Sequence, residues 1–435
     1  MSIAETYLKE IEGINPVQFI GNVTRVLGLI IEATGPSASV GELVHIRTPD
    51  GRRIISAEVV GFREGRVQLM PYSSNEGIAP GSEVMGTMSS LRVGVSEKLL
   101  GRIIGGDGNS IDGKPNVETD IHYPILASPP NPLDRPAISE VLSLGVKSID
   151  GCITIGRGQR IGIFSGSGVG KSTLLGMCAR YTNADVDVIA LIGERGREVN
   201  DFIKNSLGEE GLKRSVLVVA TGDQSPLMRL RGAFVATAIA EFFRDRGRDV
   251  MLMMDSVTRF ARAQREIGLA VGEPPATRGF TPSVFEILPR LLERSGTSRR
   301  GSITGIYTIL VEADDMNEPI ADNVRGILDG HIVLNRNLAD RGQYPAVDVT
   351  SSISRLMIDV VSPEHLKAAI KLRSSITVYR DAEDLINIGA YVKGSNPDID
   401  FAIRMKDKIW SFLAQGIREA VPFEKTAEML TGMFK

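Results

Sequence analysis

Lys171, Ser172 and Thr173 stand directly behind Gly166-Ser-Gly-Val-Gly170, which itself follows the apolar run Ile161–Phe164. An apolar strand, a glycine-rich turn and a helix opening on Lys-Ser-Thr form the pattern that cradles phosphate. The glycines let successive backbone amides turn inward at a helix N-terminus, where the dipole also favours an anion. Lys171 can reach the β- and γ-phosphates and the Ser172 hydroxyl can ligate Mg²⁺. The usual pattern has a further glycine at position 165, where this chain has Ser165. A small residue serves there if the amides of 166 to 172 do the cradling. The expected nucleotide contacts are therefore Gly166, Ser167, Gly168, Val169, Gly170, Lys171, Ser172 and Thr173, with ATP and Mg²⁺ as the bound species.

Two carboxylates complete a hydrolytic site. Glu194 ends the apolar run Ile189–Ile192 at a strand tip, where a general base for an attacking water should stand. Asp255 ends Met251-Leu-Met-Met, the second motif expected to order Mg²⁺ through its water shell. Arg355 lies far beyond both. In a ring of subunits such an arginine can reach a neighbour's γ-phosphate and stabilise transition-state charge.

These residues need a doubly covered parallel sheet to hold them. Strands are expected at Val186–Ile192, Ser215–Ala220, Val250–Met254 and Ser302–Val311, alternating with helices at Val199–Leu207, Ala233–Arg244 and Pro282–Arg294. Before them, short runs at Phe19–Ile31, Leu43–Ile46, Ile54–Gly61, Arg66–Met70 and Glu83–Gly86, punctuated by Gly, Pro and Asp, predict a small closed barrel. After about residue 350 the pattern is helical, at Pro363–Leu372, Ala382–Ile388, Ile399–Gln415 and Glu424–Phe434. Residues 3 to 11 place Ile3, Tyr7, Leu8 and Ile11 on one face of a short helix. The expected divisions are 1–16 for that docking helix, 17–92 for the barrel, 93–349 for the α/β ATPase domain and 350–435 for the helical domain.

Composition excludes several classes. The 435 residues are 42% hydrophobic and 24% charged, with a net charge of −3, so there is no electrostatic footprint for nucleic acid or an anionic membrane. Two cysteines are too few for a disulfide framework. No signal peptide is read at the N-terminus, and no apolar run approaches the ~20 residues of a membrane span. The expectation is a cytoplasmic protein that meets a membrane only through partners.

Pro345-Ala-Val-Asp-Val-Thr-Ser-Ser-Ile-Ser354 resembles the signature of the rotary ATPase α/β family, and Gly193-Glu-Arg-Gly-Arg-Glu198 its catalytic-glutamate loop. Asn131-Pro-Leu-Asp-Arg-Pro136, Pro275-Ala-Thr-Arg-Gly-Phe-Thr-Pro-Ser-Val-Phe285 and Glu312-Ala-Asp-Asp-Met-Asn-Glu-Pro-Ile320 resemble the type III export branch, in its flagellar form. Gly166-Ser167 in the phosphate loop also favours the flagellar over the injectisome form. Ala390–Asp398 stands where a synthase β subunit would carry an acidic rotor-contacting loop. The resemblance implies a RecA-like ATPase domain, and Arg195 on the γ-phosphate, Arg355 as the finger and Tyr344 beside adenine. It also implies a homo-hexamer, a stator-like regulator at the N-terminus and a coiled-coil stalk in the central pore. Export gate, chaperones and export substrates are the remaining implied partners, at the inner-membrane export apparatus. Asp223–Arg231 resembles a segment facing the ring's centre. A Rho-type RNA translocase would need a basic, aromatic-rich barrel, and a non-catalytic ring subunit would lack Glu194.

Overall fold

A computed structural model describes residues 19–311 and 315–435. The expected docking helix at 1–16 lies outside the described residues, as do Glu312, Ala313 and Asp314.

The barrel consists of β1 (Ile20–Leu27), β2 (Ile30–Ala33), β3 (Glu42–Arg47), β4 (Ile54–Arg63), β5 (Arg66–Pro71) and β6 (Glu83–Ser90), closed in the order β1-β2-β5-β4-β3-β6. Alternate residues point inward, so Val23, Ile31, Val44, Ile46, Val59, Leu69 and Val84 fill the interior. The single strand expected over Phe19–Ile31 is two. Gly28, at φ 56°, turns the chain between β1 and β2, a conformation glycine adopts without steric penalty.

The second domain is built on a sheet ordered Ile353–Ser354, Gly330–Leu334, Arg160–Ser165, Ser302–Leu310, Asp249–Asp255, Val186–Ile192, Ser215–Ala220, Ile103–Gly105. From Gly330–Leu334 to Ile103–Gly105 every neighbouring pair is parallel, and Ile353–Ser354 adds an antiparallel edge. The Val186–Ile192 and Ser215–Ala220 strands are buried at every position, which is why they are apolar apart from Asp187 and Ser215. Helices Lys171–Tyr181, Pro226–Asp245, Val257–Val271 and Pro282–Leu292 cover its faces.

Two helical expectations are corrected. The helix expected at Ala233 starts at Pro226, capped by the Ser225 hydroxyl, which accepts from the Met228 amide at 3.2 Å. The second half of Asp223–Arg231 is therefore helix, and Arg231 at its end is buried against the barrel. The Arg231 guanidinium forks onto Glu58 of β4, with Nε 2.8 Å from Oε2, and Tyr72 donates to the same carboxylate at 2.6 Å. Ser225 Oγ also donates to the Tyr72 carbonyl at 2.8 Å.

In the C-terminal region the two helices expected between Pro363 and Ile388 are one, Pro363–Asn387. The polar stretch between them stays helical because Ser375, Ile376, Tyr379 and Ala382, spaced three or four apart, are buried. Helices Pro397–Leu413 and Phe423–Met433 complete this part. His365 ties it to the ATPase domain by donating to the Gly151 carbonyl at 2.8 Å. Among the described residues no helix is long and apolar enough to cross a membrane.

Candidate active site

Parallel register brings the ends of five strands to one edge. Ser165 pairs with Leu310 and Leu334, and Leu191 pairs with Asp255. Beyond this edge lies an open cleft of about 810 Å³.

The phosphate loop forms its floor. Gly168 and Gly170 have φ of 80° and 89°, and Gly170 caps the Lys171–Tyr181 helix with no side chain over the first amides. Those amides are left for an anion. Ser165 ends its strand in ordinary backbone geometry, with its carbonyl accepting from the Val311 amide at 3.0 Å, so no glycine is needed there. Ser167 and Gly168 are exposed along the loop, and Ser172 and Thr173 line the cleft beside Lys171. Val169 takes part through its backbone only, since its side chain is buried in the core beneath. Arg336 donates to the Ser167 carbonyl at 2.9 Å, and the Tyr344 ring lies against the loop at Gly170.

Lys171 Nζ pairs with Asp255 Oδ1 and lies 3.7 Å from Glu194 Oε1. Asp255 Oδ1 also accepts from Thr308 at 2.7 Å. Glu194 is only 7% exposed. Arg259 Nη2 donates to its Oε2 at 3.2 Å, and Arg259 Nε lies 3.2 Å from the buried Oε1. Burial, then the charge of Asp255 and contact with Glu198, push the Glu194 carboxyl from its ordinary 4.5 up to about 7, against the attraction of Lys171 and Arg259. A hydrogen bond with Glu194 holds Glu198 below the usual carboxylate range. A shielded carboxyl near 7 is a proton acceptor matched to neutral pH.

Of the residues named from sequence, the structure therefore gathers Lys171, Ser172, Glu194, Arg195, Asp255 and Tyr344 about one cleft. Arg195 lines it with an exposed side chain. Arg355 is elsewhere. Its amide donates to the Asp329 carbonyl, beside the first residue of the Gly330–Leu334 strand, and its side chain is exposed. Leu334, at the cleft end, is five residues away, roughly 17 Å at ~3.3 Å per residue.

Sequence reading missed Arg259, Arg262, Glu198 and Arg336, all of which line the cleft. Arg259 sits four residues after Asp255, in the first turns of a helix that leaves the strand tip, and that spacing was the available signal. Within the signature motif, Asp348 anchors the turn, accepting from the Thr350 and Ser351 amides at 3.0 and 3.2 Å.

A barrel, a parallel sheet with a phosphate loop, and a buried carboxylate opposite that loop's lysine define a P-loop ATPase, and the chain belongs to the ATP synthase alpha/beta family. That family's beta-barrel model matches residues 23–88, its nucleotide-binding model residues 145–354, and the T3SS EscN ATPase C-terminal domain residues 361–432. Within the family the chain falls among the export ATPases of type III secretion. It is 56% identical over 415 residues to the flagellum-specific ATP synthase of Bacillus subtilis, covering 95% of this chain and 94% of that one. It is 49% identical to the type 3 secretion system ATPase of Xanthomonas euvesicatoria, over 95% of this chain and 93% of the relative. The assembled ATPase EscN of enteropathogenic E. coli superposes with a TM-score of 0.91 at 46% identity, covering 95% of this chain and all of that one. The same ATPase in complex with its central stalk EscO superposes at 0.89. The protein is an ATPase, and its nucleotide-binding domain is the sheet with the cleft.

Proposed function

We propose that this ATPase is the energy-transducing ring of a flagellar type III export apparatus, acting from the cytoplasm on subunits delivered to the membrane-bound export gate. The observation that carries the chemistry is Glu194, buried beside Lys171 and Arg259 with its carboxyl near 7. In this reading the amides of 166 to 172 and Lys171 hold the β- and γ-phosphates. Arg195 meets the γ-phosphate, and Tyr344 meets the adenine. Glu194 Oε1 accepts the proton of the attacking water. The Ser172 hydroxyl and the Asp255 carboxylate are hard oxygen donors on adjacent elements and would hold Mg²⁺, which supplies charge neutralisation along the phosphates when bound.

The position of Arg355, at the opposite end of the sheet from its own cleft, supports a finger that serves the neighbouring subunit of a homo-hexamer. The assembled relative and its stalk complex support a ring around a coiled-coil stalk for this chain too. A stator-like regulator at the N-terminus, chaperones and export substrates complete the set of partners. The flagellar assignment rests on similarity to the flagellum-specific enzymes along nearly the whole chain. Replacing the chromosomal gene with a Glu194→Gln variant tests it: hook and filament subunits should stay inside the cell. Normal flagellar export with loss of a different secreted protein set would assign the chain to a virulence apparatus instead.

A further inference from the structure

Behind the inner wall of the cleft lies a second cavity, of about 380 Å³, and Arg262 and Leu310 line both spaces. The second cavity is rich in arginine. Arg262, Arg265 and Arg278 line it with Glu318; Arg278 Nη1 is paired with Asp315 Oδ2 at 3.0 Å, and the Glu318 carboxylate caps a helix, accepting from the Ala321 amide at 3.0 Å. Arg265 lies over the Phe280 ring at 5.3 Å, and its Nε is buried without a hydrogen-bond partner. Thr258 accepts from the Leu310 amide at 2.9 Å, which leaves its hydroxyl proton to donate.

Arg259, Arg262 and Arg265 recur every third residue along helix Val257–Val271, so they share one side of it. Successive members are about 4.5 Å apart along the axis at ~1.5 Å per residue. The row begins on Glu194 and ends in the second cavity. Arg259 is held by the Gly193 carbonyl and the Glu194 carboxylate, whereas Arg265 at the far end keeps a buried Nε without a hydrogen-bond partner, and a planar guanidinium matches the oxygens of a tetrahedral oxyanion.

We propose that the second cavity is a binding site for inorganic phosphate, and that it receives the phosphate left by ATP cleavage before that ion leaves the protein. After cleavage ADP still occupies the phosphate loop on the floor of the cleft. The phosphate stands beside Glu194 and Arg259, in the cleft whose lining includes Arg262 and Leu310. The inference rests on ATP cleavage taking place in the cleft.

The test uses the full chain loaded with ADP and titrated with inorganic phosphate in a calorimeter. The wild type should bind it, and Arg265→Gln should bind about tenfold more weakly, the loss of one charge-assisted hydrogen bond. Arg278→Gln, on an exposed side chain that does not pack in the core, should also bind more weakly, and it keeps the test decisive if Arg265→Gln folds poorly. In a single turnover, chemical quench should show unchanged cleavage in both variants. A fluorescent phosphate sensor should show release lagging by about tenfold in Arg265→Gln. Unchanged phosphate affinity in both variants, or release that keeps pace with cleavage, overturns the proposal. Failure of the wild type to cleave ATP at all would refute the reading of the cleft instead.

Discussion

Glu194→Gln separates the chemistry of the site from its stability. The amide keeps the shape of the side chain and resembles the protonated carboxyl, but it cannot take a proton from water. Loss of a general base costs ~10²–10⁴-fold in rate, so hydrolysis should fall by that much while MgATP binding stays within a few-fold of wild type. The same substitution should stabilise the nucleotide-free protein at alkaline pH. The folded carboxyl titrates near 7 and the unfolded one near 4.5, because burial and the charge of Asp255 outweigh Lys171 and Arg259. Between those values the folded chain keeps a proton that the unfolded chain has released. The wild type therefore loses stability as pH rises through this window and stays at the lower level above it. At ~1.4 kcal/mol per tenfold change in affinity for the proton, the difference reaches about 3 kcal/mol at pH 8, an upper figure because water enters the cleft. Urea melts of both proteins from pH 4 to 8 measure it. The curves should coincide at pH 4, diverge between 4.5 and 7, and run parallel above. A variant less stable than wild type at pH 8 would show that the ion pairs with Lys171 and Arg259 dominate, and the argument for a carboxyl poised near neutrality would fail.

Two further outcomes are expected. Arg355→Ala should bind ATP nearly normally and hydrolyse it ~10³–10⁵-fold more slowly, and mixing it with Lys171→Ala should restore measurable activity, because some interfaces of a mixed ring hold both groups. Mixed rings without activity would remove Arg355 from a role in trans. Arg231→Leu leaves Glu58 buried and unpaired, so it should cost ~3–5 kcal/mol in a denaturant melt, and Glu58→Leu in the same chain should recover most of that loss. Failure of the double variant to recover would show that packing, not the stranded charge, sets the cost.

The parts of the site made by local spacing were legible in the sequence. Gly168, Gly170 and Lys171 declare a phosphate loop because their φ values and chemistry are needed at those positions and nowhere nearby. Glu194 and Asp255 were legible because each closely follows an apolar run, Ile189–Ile192 and Val250–Met254. Arg259 and Arg262 were not, since an arginine on an amphipathic helix reads as solvent-facing until the fold sets a cleft against it. The helix expected at Ala233 passed over a local signal: Ser225-Pro226 is an N-cap followed by proline at the first helical position, which puts Arg231 inside the helix. Its partner Glu58 lies 173 residues away in sequence, and no spacing rule spans that distance.

The Glu58–Arg231–Tyr72 cluster also bears on how the barrel takes part in catalysis. The helix it grips follows a loop whose Gly222 amide donates to the Glu194 carbonyl at 3.0 Å, while the Gly193 amide donates to the Ala220 carbonyl at 2.6 Å. From the barrel wall to the main chain of the base, the connection runs through one buried ion pair, one helix start and two backbone hydrogen bonds. Such a train of stiff links has little slack. A barrel tilted by whatever it touches would carry the base with it, so the one domain without chemistry of its own holds a lever on the proton acceptor.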